Sequence, residues 1–144
     1  MKVVDASVWV SRLVLGDVHN KASRDWFERY TSVGGRLVSP VLLLTEVAGA
    51  IARRTGKPEL AHRAVERLLN IPSLRLVASD QQLGTAAARL AADLRLRGAD
   101  AMYVAVAYRL NIPLVTWDRE QLERTQNFIV AYTPEDDEMF LARR

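Results

Sequence analysis

The sequence of 144 residues contains no cysteine and only two histidines, His19 and His62. The lack of cysteine excludes a disulfide framework, a zinc ribbon, an iron–sulfur cluster and a thiol nucleophile. Two histidines so far apart do not form a histidine metal site or an HExxH helix. A metal ion in this protein would therefore have to be held by oxygen ligands.

Long apolar runs are also absent, the longest clean one being 101–108. This run is too short for a membrane-spanning helix. Asp5 also interrupts the start of the chain, where a secretory signal would need an unbroken apolar segment. We therefore expect a soluble, cytoplasmic protein with no membrane partner.

Lysine is scarce, because only three of the 20 basic residues are lysines and the rest are arginines. The 17 acidic residues leave a net charge of +3. The planar guanidinium suits phosphate, so the composition is compatible with a polyanionic partner. An arginine-rich habit of the source genome explains the charge equally well, and the charge alone does not decide function.

Short β-branched runs alternate with helical stretches along the chain. Ser39 and Pro40 are expected to open one helix, and Ser79 with Gln82 to cap a long helix that ends at Gly98. Alternation of this kind is typical of an α/β domain with a parallel sheet that is buried on both faces. We predict a single domain over 1–144 with helices on both faces of a five-stranded sheet of order 3-2-1-4-5. The predicted strands are 2–5, 36–39, 74–78, 113–116 and 128–131.

Two aspartates follow strands that this order makes neighbours. Asp5 closes the first strand and Asp118 follows the fourth, so both carboxylates should lie at the carboxyl edge of the sheet. Each also has a local explanation. Asp5 can cap the helix that begins near Ser7, and Asp118 can cap the following helix in a capping box with Gln121.

Glu46 lies in a helix that is otherwise apolar nearly all round, with no cation one turn away. A buried carboxylate without a partner costs several kcal/mol or shifts its pKa. We therefore expect a partner from outside this helix, unless the side chain reaches solvent at the sheet edge. Asp100 opens the most apolar helix, where the helix dipole alone can account for it. Asp93 is expected to be a surface acid that pairs with Arg89 and Arg97.

Four carboxylates in one place would repel one another unless a hard cation neutralised them. Mg²⁺ and Mn²⁺ take oxygen ligands in octahedral geometry and retain several waters. In a site without histidine or cysteine, metal-assisted hydrolysis of a phosphodiester is the chemistry that these residue types support.

Three segments together resemble a PIN domain: VVDASV at the start, SPVLLLTEVAGAI in the middle and GADAMYVAVAYRLNIPLVTWDREQL near the end. Within that family, the short form is similar to the VapC-type toxins of prokaryotic toxin–antitoxin pairs, over about 2–132. The resemblance implies a Mg²⁺-dependent endoribonuclease, with Mn²⁺ as a substitute, on a three-layer PIN-like fold. It also implies RNA as substrate, a homodimer, and a small antitoxin whose tail enters the active groove.

The resemblance places the four acids of the family on Asp5, Glu46, Asp100 and Asp118. By this resemblance the three aspartates would hold the metal, directly or through its waters. Glu46 would accept protons from water or anchor a second ion. Thr116 and Ser7 would orient the carboxylates, with Thr116 the stronger candidate.

A second group of residues carries weaker expectations. Trp117 can stack on a base, although core packing is the favoured interpretation. Four arginines near the ends of elements can bind RNA phosphates, with a solvated surface role as the default: Arg12, Arg53, Arg54 and Arg119. The apolar residues of 26–30 and 60–69 form either a groove for a partner helix or ordinary core faces, and core is slightly favoured.

Two other classes with acidic strand ends are excluded by the sequence. A receiver domain needs a lysine after the fifth strand, and none occurs beyond Lys57; a phosphohydrolase of the D-x-D type needs an acid at the position of Ser7. Two alternatives remain open. One is a PIN nuclease outside a toxin pair, directed to RNA processing or to DNA, and the other is a PIN module that binds RNA or a partner without cleavage.

Overall fold

The computed structural model describes residues 1–137, so the predicted terminal turn over 134–141 lies partly outside the described residues. The strands are β1 (Lys2–Val4), β2 (Leu37–Pro40), β3 (Leu74–Val77), β4 (Leu114–Val115) and β5 (Ala131–Tyr132). The helices with both ends described are α1 (Ala6–Leu13), α2 (Asn20–Ser32), α3 (Leu43–Thr55), α4 (Pro58–Leu69), α5 (Gln81–Leu94), α6 (Gly98–Leu110) and α7 (Arg119–Thr125). Residues 134–137 are also helical, in agreement with the described part of the predicted terminal turn.

The five strands form one parallel sheet in the order β3-β2-β1-β4-β5, which confirms the predicted topology. Val3 and Val4 are both 0% exposed, although neighbouring side chains of a strand point to opposite faces. Helices therefore cover both faces of the sheet, as parallel sheets require. The pairing of Val4 with Val115 brings the ends of β1 and β4 side by side.

The predicted start of α3 is wrong by three residues. Ser39 and Pro40 belong to β2, where Pro40 is in register with Val77, and α3 begins at Leu43. The Ser39 hydroxyl does not cap a helix, because it donates to the carbonyl of Val4 at 2.6 Å. It thus ties β2 to the end of β1.

The first four strands match their predictions to within one residue at each end, and other boundaries differ more clearly. The cap of α5 is Asp80 rather than Ser79, since its carboxylate accepts the backbone N–H of Leu83 at 2.8 Å. This helix ends at Leu94, and Gly98 is instead the first residue of α6. The last strand is Ala131–Tyr132, three residues later than predicted.

The apolar faces of 26–30 and 60–69 are mainly core, as favoured above. Trp26, Phe27 and Leu68 are at most 3% exposed and belong to the main hydrophobic cluster. Within residues 1–137, no helix combines the length and apolar character needed to cross a membrane.

Candidate active site

Asp5 lies at the junction of β1 and α1 and is 4% exposed. Its Oδ2 accepts the backbone N–H of Ser7 at 3.2 Å, so the capping interpretation is confirmed. The same oxygen accepts the hydroxyl of Thr116 at 3.0 Å. One carboxylate oxygen is therefore held both by the first turn of α1 and by the residue that follows β4.

Thr116 links the two strand-end acids. While its hydroxyl donates to Asp5, it accepts the backbone N–H of Asp118 at 3.0 Å. The Ser7 hydroxyl lies 3.3 Å from that of Thr116 and accepts the backbone N–H of Trp117 at 3.1 Å. These contacts fix the loop after β4 against the start of α1. The Thr116 hydroxyl contacts a carboxylate directly, whereas the Ser7 hydroxyl contacts Thr116 and the backbone of Trp117.

Asp118 caps α7, because its Oδ1 accepts the backbone N–H of Gln121 at 3.1 Å. The predicted return bond of a capping box is wrong. The Gln121 side-chain amide instead donates to Oδ1 of Asp100 at 3.0 Å. Gln121, which is fully buried, thereby connects Asp118 after β4 with Asp100 of α6.

Glu46 has the outside partner that its apolar helix predicted. Tyr103 of α6 donates its hydroxyl to Oε1 of Glu46 at 2.7 Å. Burial raises the pKa of Glu46, the Tyr103 hydrogen bond lowers it, and the charge of Asp5 raises it further. Tyr103 is 0% exposed, and burial together with the negative charge of Glu46 raises its own pKa strongly, so it remains a neutral donor.

Asp100 lies in the first turn of α6. Burial raises its pKa to about 6, and the charges of Asp5, Asp118 and Glu46 raise it as well, while Arg97 opposes the shift. The four acids thus interact electrostatically, although they come from four different elements. The structure therefore places all four predicted acids within one negatively charged region.

A preformed metal cage is not present in residues 1–137, where no three His, Cys, Asp or Glu side chains are grouped as metal ligands. The donor set still fits Mg²⁺, which usually binds through one or two carboxylates and keeps several waters. Arg97 lies 3.6 Å from both Asp100 and Asp118, so a cation is already stabilised between these two acids.

Other contacts hold the side chains of the remaining candidates. Trp117 stacks on His19 with ring centroids 3.8 Å apart, donates to Ser23 and packs against the core, in agreement with the packing interpretation. Arg12 lies over the Phe27 ring and lines a groove whose walls contain none of the four acids. The other three arginines are exposed: Arg53, Arg54 and Arg119. Arg54 pairs with Asp17.

Three residues of the site were not among the predicted site residues. Tyr103 and Gln121 each lie three positions after a predicted acid, a spacing that places them one helical turn away. That spacing was the available signal for their position near a predicted acid, but it did not indicate that Tyr103 bonds Glu46. Arg97 was expected to pair with Asp93, but it pairs with Asp100 and Asp118 instead.

Comparison with known families agrees with this architecture. The model of the PIN domain family matches residues 2–127. The chain belongs to the PIN domain family. The resemblance seen in the sequence motifs is thereby confirmed. Comparison with curated proteins gave no match for this PIN domain.

Solved structures share the fold of this PIN domain. VapC20 of Mycobacterium tuberculosis, described as a toxin that cleaves the sarcin-ricin loop, has a TM-score of 0.72 at 18% identity and covers 90% of this chain and 97% of its own. PAE2754 of Pyrobaculum aerophilum has a TM-score of 0.70 at 24% identity, covering 99% and 96%. DNA-bound VapBC of Salmonella typhimurium has a TM-score of 0.69 at 19% identity, covering 92% and 97%. The predicted PIN-like fold of VapC-type toxins is therefore confirmed.

Proposed function

We propose that this PIN domain is a Mg²⁺-dependent endoribonuclease and the toxin of a type II toxin–antitoxin pair, with Mn²⁺ as a substitute ion. The observation that carries the proposal is the coupling of four carboxylates at the carboxyl edge of the sheet. It is most evident at Asp100, whose pKa is raised by burial and by the charges of the other three acids. Such repulsion is relieved when a divalent cation binds.

In this proposal Asp5, Asp100 and Asp118 hold the ion, directly or through its waters. When bound, the ion supplies Lewis-acid stabilisation of the charge that develops on the phosphodiester. Thr116 holds one oxygen of Asp5 and the backbone of Asp118, so these two acids are presented in a fixed relative orientation. The site is thus organised by hydrogen bonds before an ion arrives.

Glu46 is the proposed general base. Its raised pKa makes it a better proton acceptor than an ordinary carboxylate, while the hydrogen bond from Tyr103 holds one oxygen in place. The other oxygen is then free to accept a proton from the attacking water. In-line attack on RNA would leave a 5′-phosphate.

The proposed partner is a small antitoxin, and the chain itself is proposed to form a homodimer. Fold neighbours include a toxin–antitoxin complex from Klebsiella pneumoniae and FitAcB from Neisseria gonorrhoeae, which supports this assignment. A groove of about 840 Å³ beside α1 and α4 has apolar walls and four arginines, Arg12, Arg24, Arg63 and Arg67. Apolar walls with a basic rim suit an amphipathic segment that carries acidic residues.

Cleavage of a mixed RNA pool tests the proposed activity. The wild type is incubated with Mg²⁺ or Mn²⁺, with and without chelator, beside Asp5→Asn and Asp100→Asn. Asp93→Asn is the matched control, because it makes the same change at an exposed acid of α5. We expect metal-dependent cleavage that falls at least about 100-fold in both site variants and is unchanged in the control.

Two results would contradict the proposal in different ways. Cleavage of single-stranded DNA in place of RNA would favour a DNA-directed PIN nuclease. A folded wild type that binds Mn²⁺ but cuts neither polymer would favour a binding module without cleavage.

A further inference from the structure

Arg97 is the basic residue that bridges two of the four acids. It precedes the first turn of α6 as its N-cap, in extended backbone with φ −63° and ψ 150°. From there Nε lies 3.6 Å from Oδ2 of Asp100, and Nη2 lies 3.6 Å from Oδ2 of Asp118. One guanidinium thus contacts the acid of α6 and the acid that follows β4.

The geometry of these two ion pairs indicates that they are weak. Both distances exceed the 2.7–2.9 Å of a charge-assisted hydrogen bond. The Arg97 side chain is 73% exposed, whereas those of Asp100 and Asp118 are 16% and 22% exposed. Little packing holds the arginine in place, so it can leave while the two carboxylates remain fixed by Gln121 and by the start of α7.

We propose that Arg97 is an internal counter-ion that the divalent cation displaces from Asp100 and Asp118, and that the released guanidinium then binds a phosphate of the substrate. The inference rests on the proposed function, because it assumes a cation site at these acids. A divalent cation bound at the same carboxylate oxygens repels the guanidinium, so binding of the ion weakens the Arg97 ion pairs and favours their release.

The second step follows from charge. Once the divalent ion neutralises the acids, the guanidinium loses both of its ion pairs but stays beside the site through its position at the start of α6. A phosphodiester brought to the ion is the nearest anion, and a guanidinium binds phosphate through a planar fork of donors. Arg97 therefore first restrains cation binding and then contributes to RNA binding.

Mn²⁺ titration of the full-length protein by calorimetry tests the first step. The variants are Arg97→Gln, Arg97→Lys and the control Arg89→Gln, which removes the same charge from an exposed position of α5. We expect Arg97→Gln to bind Mn²⁺ about 2- to 5-fold more tightly than the wild type, within the range for loss of a solvent-exposed ion pair. Arg97→Lys should fall between them and Arg89→Gln should match the wild type.

The second step is read from cleavage at saturating Mn²⁺. Arg97→Gln should raise KM for RNA several-fold with little change in kcat, because the lost contact is to the bound substrate. If the wild type binds Mn²⁺ and Arg97→Gln binds it equally or more weakly, the counter-ion role is wrong. An unchanged KM overturns the phosphate role. If the wild type binds no Mn²⁺ at all, the proposed function fails and the inference falls with it.

Discussion

One buried hydroxyl decides how the Glu46 carboxylate is held. The Tyr103 hydrogen bond lowers the pKa of Glu46 against the effects of burial and of Asp5. Tyr103→Phe removes the donor and keeps the ring, so the Glu46 pKa rises and the base form is lost as pH falls. We expect RNA cleavage to decrease several-fold on the acidic side of its pH profile and much less on the alkaline side.

The measurement is the pH profile of kcat/KM. Its acidic limb should move to higher pH in Tyr103→Phe. Tyr108→Phe is the matched control, because Tyr108 lies on the same helix but is 59% exposed. A profile that only drops in height, without moving, would show that the hydroxyl does not act through Glu46.

The Asp100 carboxylate destabilises the folded protein when no metal is bound. Its pKa is raised from 3.8 to about 6, chiefly by burial and by the charge of Asp5. Because the folded state binds the proton more tightly than the unfolded state, this group lowers stability progressively as pH rises from about 4 to above 6. The ceiling is roughly 3 kcal/mol, and partial exposure reduces it to about 1–2 kcal/mol.

Asp100→Asn should therefore stabilise the chelator-treated protein by about 1–2 kcal/mol at pH 8 and by little at pH 4. The asparagine oxygen can still accept the Gln121 amide, so the buried contact is retained. Urea unfolding at the two pH values measures the difference, with Asp93→Asn as control. Equal effects at both values would contradict the electrostatic origin.

At the scale of elements, periodicity predicted more than capping did. The short β-branched runs located the first four strands to within one residue at each end, whereas the fifth shares only Ala131 with its prediction. The rules for parallel sheets limited the strand order to a few choices, and the order chosen among them is the observed one. Ser39–Pro40 was predicted to start a helix, because serine is a good N-cap residue and proline is favoured in the first helical turn. In the structure both residues instead belong to β2, where Pro40 pairs with Val77 of β3. Local preferences did not show that β3 would extend the sheet to this point.

The candidate site, like the fold, could be predicted only in part from the sequence. Asp5 and Asp118 follow from the ends of adjacent strands, and Glu46 from a carboxylate without a local partner. The identity of that partner was not predictable, since Tyr103 lies 57 residues further along the chain. Distances between elements, rather than spacing within one, decide such contacts.

The turn between α2 and β2 supplies a test at this scale. A Cβ on Gly35 would lie 2.4 Å from the Tyr30 carbonyl oxygen and 2.7 Å from two atoms of its ring. Because the backbone of Tyr30 cannot move away without a large energetic cost, Gly35→Ala should destabilise the fold by about 3 kcal/mol or more. Gly84→Ala, on α5 with nothing within 4 Å, should instead stabilise it by about 0.5–1 kcal/mol. Thermal unfolding of the two variants should therefore shift in opposite directions.

At the scale of the whole molecule, the group of four acids and a group of four arginines lie in different places. The four acids lie at the carboxyl edge of the sheet, whereas Arg12, Arg24, Arg63 and Arg67 line the groove beside α1 and α4. Burial lowers the pKa of Arg12, and the nearby charges of Arg24 and Arg67 lower it further. The arginines therefore repel one another, and an acidic partner relieves that repulsion.

Charge reversal separates partner binding from catalysis. The double variant Arg63→Glu/Arg67→Glu should bind the antitoxin, taken as the protein encoded beside this gene, at least about 10-fold more weakly. RNA cleavage by the free enzyme should be unchanged, because these residues line a groove that contains none of the four acids. The first readout is the antitoxin concentration that halves RNA cleavage. In the wild type this concentration should increase between 50 and 500 mM salt, because salt screens the attraction between the arginines and an acidic partner. The control is Arg89→Glu/Arg95→Glu, which changes the charge equally outside the groove. Equal neutralisation of the two double variants would show that the antitoxin binds elsewhere.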